Sequence, residues 1–177
     1  MFNQPYQQPG TGLWIRGIVN LCYLALSGYV TCFTPFLRRN FGRGALGINA
    51  AIAFVIIMFY RLAHPESHML GEFQLLWMAF VVMQWFRTAW LTKKGIAIHS
   101  RCDGYPWLGY ALPFVKQEPL ARVIEFLGLL FFGVSLGRID MPLSAFLVFG
   151  SLALLVKGGI DSEIDRKRLQ AMRDAEL

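Results

Sequence analysis

Long apolar segments alternate with short polar segments along most of this chain. Four of the apolar segments cover residues 45–63, 73–91, 120–137 and 142–157. A helix rises about 1.5 Å per residue, so about 20 apolar residues cross the roughly 30 Å hydrocarbon core of a bilayer. The pattern therefore predicts an all-α fold, a polytopic transmembrane helix bundle, with the transmembrane domain over residues 13–160.

A further apolar segment, residues 13–36, is ambiguous because it contains charged and polar residues. These recur every three or four positions, at Arg16, Asn20, Tyr23, Ser27, Thr31 and Thr34. On a helix they form one stripe, which is typical of a helix lying on the membrane and also of a spanning helix that packs a polar face on its neighbours. We favour a span, which gives five spans and an external N-terminus. The alternative is an interfacial helix, four spans and a cytoplasmic N-terminus.

The two ends of the chain differ in composition. Residues 1–12 contain no lysine or arginine and are rich in glutamine and proline, which predicts a mobile polar tail and no secretory signal. At the other end, Gly158 and Gly159 are expected to break the last span. Residues 161–177 then form a short cytoplasmic amphipathic helix, in which acidic residues precede basic ones as the helix dipole favours.

Positive charge alternates between successive connections. Their lysine and arginine residues number 3, 0, 4, 1 and 5 along the chain. Because these residues mark the cytoplasmic side of short loops, the loop of residues 92–119 and the C-terminus are predicted to be cytoplasmic, and the membrane to be a bacterial inner membrane. The net charge of +6 is then a consequence of topology, so no nucleic-acid partner is expected.

One polar turn carries residue types that bind metals. His64, His68 and Glu72 are four residues apart, so on a continuous helix they would share one face and offer two imidazoles and a carboxylate. A short turn between two spans contains polar residues without any metal, and the three cysteines match no zinc or disulfide pattern. We therefore predict no metal and no other cofactor, and keep this trio as a minor alternative.

A serine-hydrolase pattern occurs at the end of one apolar segment. Gly133-Val-Ser135-Leu-Gly137 matches G-x-S-x-G, and the predicted topology places Ser135 on the same side of the membrane as His64, His68 and Asp140. The hydrolase pattern belongs to a strand–turn–helix setting, however. Gly133 and Gly137 also form G-x-x-x-G, which lets two helices approach closely, and we favour this packing role.

The apolar segments contain charged residues, among them Arg87, Arg122 and Glu125. Charges in a membrane are usually paired. Arg87 and Glu125 lie at similar depths on different helices, and Arg122 precedes Glu125 by three residues, so either arginine is a candidate partner. An ion or proton pathway would require acids deeper in the membrane, and the apolar segments contain none.

The loop of residues 92–119 is the longest connection and is rich in large rings and turn signals. Its candidate recognition residues are His99, Arg101, Asp103, Tyr105, Trp107 and Tyr110. Loops on rigid scaffolds tend to carry function, and clustered aromatic residues often dominate binding.

The sequence favours a non-enzymatic integral membrane subunit that anchors or assembles a larger membrane complex. Its expected partners are the lipid bilayer and other membrane proteins or further copies of itself. Two alternatives stay open. One is a permeation subunit whose pore forms by oligomerisation. The other is an intramembrane hydrolase or metal-binding protein that uses the serine and histidines near the outer face.

Overall fold

The apolar segments of the sequence form helices. The computed structural model describes residues 11–42, 47–95, 104–111, 115 and 117–176. In this part of the chain all regular secondary structure is helical, as predicted. The elements are α1 (Thr11–Thr31), α2 (Thr34–Leu37), α3 (Ile48–Ala63), α4 (His68–Lys93), α5 (Trp107–Tyr110), α6 (Glu118–Leu136) and α7 (Met141–Glu176).

Three of the described helices are long and apolar enough to cross a membrane, namely α4, α6 and α7. They correspond to three of the four predicted spans. Helix α3, in the fourth, has 16 residues and is therefore about 24 Å long, several ångströms less than the hydrocarbon core. A count of four or five spans thus goes beyond what helix length and composition establish.

Two ends of the bundle can be distinguished by their connections. The turn end holds the tight turns of residues 64–67 and 137–140, which join α3 to α4 and α6 to α7. The loop end is the opposite one, where α4 ends and α6 begins. Because α7 starts at the turn end, its last residues leave the bundle at the loop end.

Helix α1 enters the bundle from the loop end. The Tyr23 hydroxyl donates to Asp161 Oδ1 at 2.7 Å, in the late part of α7, whereas the Tyr29 hydroxyl donates to the Phe146 carbonyl at 2.9 Å, in the early part. The chain then turns at Cys32–Phe33 and runs back as α2 and an irregular segment. Residues 32–42, here called the return segment, end beside Thr88 near the end of α4.

This reversal corrects the prediction that residues 13–36 form one uninterrupted span or interfacial helix. The helix instead begins at Thr11 and ends at Thr31. Pro35 explains the end, because proline has no N–H and its ring clashes with the carbonyl four residues earlier. That carbonyl belongs to Thr31, and the Trp77 indole donates to it at 3.1 Å in place of the missing N–H.

Aromatic side chains fill the centre of the bundle around Phe33, which is 1% exposed. Its ring lies 5.2 Å from that of Phe146 and 6.3 Å from that of Phe73, measured between centroids. The ring also rests on the backbone of α7 at Gly150, where a Cβ would approach it to 2.2 Å. The reversal of the chain is therefore anchored by packing that only glycine permits at that position of α7.

Helices α4 and α7 share their N-terminal cap at the turn end. The Ser67 hydroxyl accepts from the Leu70 N–H at 3.3 Å and donates to Asp140 Oδ2 at 2.5 Å, while Asp140 Oδ1 accepts from the Leu143 N–H at 2.9 Å. Each side chain thus satisfies a free N–H of a first helical turn. Burial disfavours the charged carboxylate, but these hydrogen bonds outweigh that effect and lower the pKa of Asp140 below its usual value.

The predicted break at Gly158–Gly159 is wrong, because α7 continues through both glycines to Glu176. Glycine weakens a helix by about 1 kcal/mol without forbidding it. An ion pair spans the two glycines, because Lys157 Nζ lies 2.8 Å from Asp161 Oδ2, one turn later in α7. The tail predicted as a separate helix is therefore the end of α7. Of the predicted polar tail, residues 1–10 lie outside the described residues, and residues 11–12 belong to α1.

We expect the shared cap to make stability depend on the protonation of Asp140. Its contribution is complete above the ordinary aspartate pKa of about 4 and is lost as the pH falls through the lowered pKa of the folded state. Asp140→Ala should cost about 1–2 kcal/mol of unfolding free energy at pH 7, and Asp140→Asn, which keeps one acceptor oxygen, should cost less. Thermal unfolding in detergent at pH 7 and pH 3.5 measures both. Equal acid sensitivity of wild type and Asp140→Asn would contradict this role.

Candidate functional site

The return segment is held by a polar stripe on α4. Besides Trp77, this stripe contains Gln84, whose Nε2 donates to the carbonyls of Pro35 at 3.3 Å and Arg38 at 3.0 Å. It ends at Thr88, whose hydroxyl donates to the Phe41 carbonyl at 3.2 Å. Spacings of seven and four residues place the three donors on one face of the helix. They meet successive carbonyls of the return segment, which therefore runs parallel to α4.

An ion pair joins the return segment to α6. Arg38 Nε lies 3.1 Å from Glu125 Oε2, and the two side chains are 11% and 1% exposed. Removing two charges from water is costly, and only close contact with further hydrogen bonds offsets that cost. The pair is incompletely satisfied among the described residues, because Glu125 Oε1 and the neighbouring Gln84 Oε1 are buried without a hydrogen-bond partner.

The intramembrane charges pair differently from the prediction. Arg87 donates through Nε to Asn40 Oδ1 at 3.0 Å rather than to Glu125. Arg122 pairs with Glu118, one turn away on α6, at 2.7 Å. The prediction considered only charges on spanning helices as partners. Arg38 was instead assigned to a loop, so the residue that approaches Glu125 was missed. Proline at position 35 is the sequence signal that the chain returns there.

Part of the predicted recognition loop lies against the return segment. Arg39 and Tyr105 exchange two backbone hydrogen bonds, of 2.9 and 2.6 Å, and the Arg39 guanidinium lies 3.8 Å from the centre of the Trp107 ring. The rings of Tyr105 and Tyr110 stack with centroids 4.7 Å apart. The backbone of Tyr105 and the ring of Trp107 therefore hold this part of the loop on Arg39, and Tyr110 packs on Tyr105. His99, Arg101 and Asp103 lie outside the described residues.

A small polar cavity opens between α1, the return segment and α7. It is lined by Ser27, Val30, Thr31, Thr34, Arg38, Phe41 and Lys157. Its volume of about 10 Å³ is close to the least space that a water molecule occupies. The inner half of the hydroxyl stripe predicted for residues 13–36 therefore faces the interior. Arg16 and Asn20, in the outer half, are exposed.

The predicted metal trio does not share a helix face. Helix α4 begins at His68 with Ser67 as its cap, so His64 precedes the helix and no continuous helix contains all three residues. His64 Nδ1 lies 3.0 Å from Glu66 Oε1 instead. Within the described ranges, no group of three or more histidine, cysteine, aspartate or glutamate side chains is arranged to hold a metal ion.

The G-x-S-x-G segment lies at the contact of α6 with α7. A Cβ on Gly133 would lie 3.1 Å from the Leu147 Cβ, and one on Gly137 would lie 3.2 Å from the Ser144 hydroxyl oxygen. These distances are those of a close helix–helix approach, as the packing interpretation expects. Ser135 is exposed, and its hydroxyl donates to the Phe131 carbonyl of its own helix at 2.8 Å. In the described part of the chain its hydroxyl is thus bonded to its own helix and not to a base of the kind that activates a nucleophilic serine.

The geometry thus assigns three buried polar side chains, Gln84, Thr88 and Glu125, to holding the return segment. Comparisons with protein families, with curated proteins and with solved structures found no match for this chain. Its function is therefore argued from its own residues.

We expect each residue of the Arg38–Glu125 pair to require the other in the folded protein. Glu125→Ala leaves a buried, unpaired guanidinium and should lower the unfolding free energy by about 3–5 kcal/mol. Replacing both residues by apolar ones, as in Arg38→Met with Glu125→Leu, should recover most of that loss. Arg122→Gln, which removes an exposed pair on the same helix, is the control and should cost about 1 kcal/mol or less. Thermal unfolding in detergent ranks the variants, and equal effects of Glu125→Ala and Arg122→Gln would refute this assignment.

Proposed function

We propose that this protein is a non-enzymatic membrane subunit that anchors or assembles a larger membrane complex. The observation that carries the proposal is the end of α7. After Lys157 the helix continues for almost 20 residues, about 28 Å, and from Ser162 to Asp174 every residue is exposed. A helix that leaves its own bundle without packing on it has its surface available for another component.

The exposed end of α7 is stabilised by pairs along its own surface. Glu163 lies 3.6 Å from Arg166 and 3.8 Å from Lys167, and Asp165 lies 3.8 Å from Arg168. Such pairs stabilise a helix that has no other part of the protein to pack on. The same turns expose the apolar side chains of Ile164, Leu169 and Met172. This supports a helix that stays formed in water and offers a partner both charged and apolar contacts.

The proposed topology has four spans, α3, α4, α6 and α7, with α1 and the return segment as a hairpin that enters and leaves at the loop end. The loop end carries most of the connecting lysine and arginine residues, which supports a cytoplasmic location for it in a bacterial inner membrane. Both the start of α1 and the end of α7 are then cytoplasmic. This favours the four-span alternative over five spans with an external N-terminus.

The aromatic loop surface is proposed as a second contact with a partner. Trp107 is engaged by Arg39. Tyr105 is 52% exposed and Leu108 is 37% exposed. Both belong to the loop, at the same end of the bundle as the exposed part of α7. Trp107→Ala should weaken such a contact by releasing the loop from the return segment.

The other function classes find less support. The polar cavity beside Arg38 favours a permeation subunit, but its volume of about 10 Å³ leaves no continuous path. The hydrolase alternative loses its basis because Ser135 is bonded to its own helix. The assembly role is therefore the one that we retain.

Side-specific labelling tests the topology. In a variant without its natural cysteines, single cysteines at Thr11, Lys94 and Ser162 should react with an impermeant reagent from the cytoplasmic side only. A cysteine at Glu66 should react from the opposite side only, because it lies at the turn end. Inverted vesicles and intact cells give the two exposures. Labelling of Thr11→Cys together with Glu66→Cys would show that α1 crosses the whole membrane.

Truncation of α7 tests the assembly role. A chain ending at Ser162 keeps Asp161, which binds Tyr23 and Lys157, and loses only the exposed turns. In mild detergent the full chain should migrate as a complex well above its 20.1 kDa mass, and the truncated chain as a smaller species. Arg138→Gln, an exposed change at the turn end, is the control and should leave the complex intact. Equal masses for the full and truncated chains would contradict the proposal.

A further inference from the structure

An open cleft of about 420 Å³ lies at the turn end, between the last turn of α3 and the first turns of α4. Its apolar lining comes from Met58, Leu62 and Pro65, and its polar lining includes Arg61, His68 and Gln74. Ligand pockets commonly enclose about 300–1,000 Å³ and combine an apolar lining with a few placed polar groups. The cleft has the size and composition of a site for a small amphiphilic molecule.

The cationic group of the cleft is held in one orientation. Arg61 Nη1 donates to Gln74 Oε1 at 3.1 Å, and the Gln74 side chain is 7% exposed. The guanidinium lies over the backbone of α4 at Gly71, where a Cβ would be 3.4 Å from its central carbon. A long, flexible side chain fixed before binding loses less entropy when a ligand arrives. A buried amide and a glycine thus serve to position one exposed arginine.

The positive charge of Arg61 is not neutralised within the described part of the chain, where no carboxylate forms an ion pair with it. Three acids lie near this cation. Glu66 is bonded to His64 and Asp140 to Ser67. Glu72, the residue after Gly71, is exposed and forms no ion pair with Arg61 in the described structure. A guanidinium is a planar set of donors that matches the oxygens of phosphate and carboxylate groups. The cleft therefore presents an oriented cation that lacks an anion.

We propose that this cleft binds the anionic head group, phosphate or carboxylate, of a membrane amphiphile. Arg61 contacts the head group, with His68 at the same rim. The acyl chain follows the apolar side of the cleft along Met58 and the exposed side chain of Leu62. The site lies at the opposite end of the bundle from the exposed part of α7, so it is independent of the proposed assembly contact.

Binding to the purified full chain in a neutral detergent tests the proposal, with native mass spectrometry as the readout. The probes are dioctanoyl phosphatidic acid, octanoate and inorganic phosphate. We expect one bound amphiphile per chain, and about a tenfold loss of affinity in Arg61→Gln, the change expected when a charge-assisted contact is removed. Gly71→Leu, which fills the cleft and displaces the guanidinium, should weaken binding similarly. Arg138→Gln removes an exposed arginine at the same end outside the cleft and should bind as wild type.

The outcomes separate the possible sources of the anion. Preference for phosphatidic acid identifies a phospholipid head group, and preference for octanoate identifies a fatty-acid carboxylate; either supports the site. If inorganic phosphate bound as tightly as the amphiphiles, the acyl chain would contribute nothing to binding. That result would overturn the proposal of an amphiphile and indicate a simple anion site. Unchanged amphiphile binding in both Arg61→Gln and Gly71→Leu, with unfolding temperatures that show both to be folded, would overturn the proposal altogether.

Discussion

A backbone that leaves helical geometry inside an apolar bundle must have its carbonyl and N–H groups bound by other parts of the protein. The return segment imposes this requirement here, because Pro35 ends the helical hydrogen bonding at Thr31. The side chains of α4 meet it with an indole, an amide and a hydroxyl that donate to successive carbonyls. The position of α4 against the hairpin, and hence of the aromatic core around Phe33, follows from these bonds.

The same segment brings a charge into the bundle, and this determines where α6 lies. Arg38 is almost fully buried and requires the carboxylate of Glu125. The next residue, Arg39, binds the backbone of Tyr105 and the ring of Trp107. The eleven residues of the return segment thus connect α4, α6 and the long loop. Of the intramembrane charges singled out in the sequence, Glu125 and Arg87 bind this segment.

The sequence predicts those features that depend on local periodicity. Apolar length predicted the helices over residues 73–91, 120–137 and 142–157, since burial in lipid requires about 20 apolar residues wherever the helix stands. The prediction from local periodicity was wrong where contacts between residues distant in sequence determine the structure. Pro35 marks the end of a helix. The reversal also requires the Trp77 indole, which is 46 residues from Thr31, to donate to the Thr31 carbonyl. Arg38 was read as a loop charge because its acidic partner is 87 residues distant.

Two further differences have the same origin. Paired glycines predicted the end of α7, yet the Lys157–Asp161 pair and the hydroxyl of Tyr23 hold the helix across them. A continuous helix through His64, His68 and Glu72 is likewise absent. Ser67 instead caps α4, and its hydroxyl donates a hydrogen bond to Asp140 from another turn. In each case the local preference is worth about 1 kcal/mol, and one contact distant in sequence is enough to reverse it.

Helix α7 relates the two ends of the molecule to each other. It begins at the cap shared with α4, beside the cleft of Arg61, and extends for 36 residues, about 54 Å, to the exposed turns beyond the loop end. The Phe33 ring packs against α7 at Gly150, and α6 packs closely against α7 at Gly133. Close contacts on two sides therefore fix the position of α7 in the bundle. A continuous helix held in this way gives its free end a defined position and direction. The cap of Ser67 and Asp140 and the packing at two glycines therefore determine where a partner would meet the charged end of this chain.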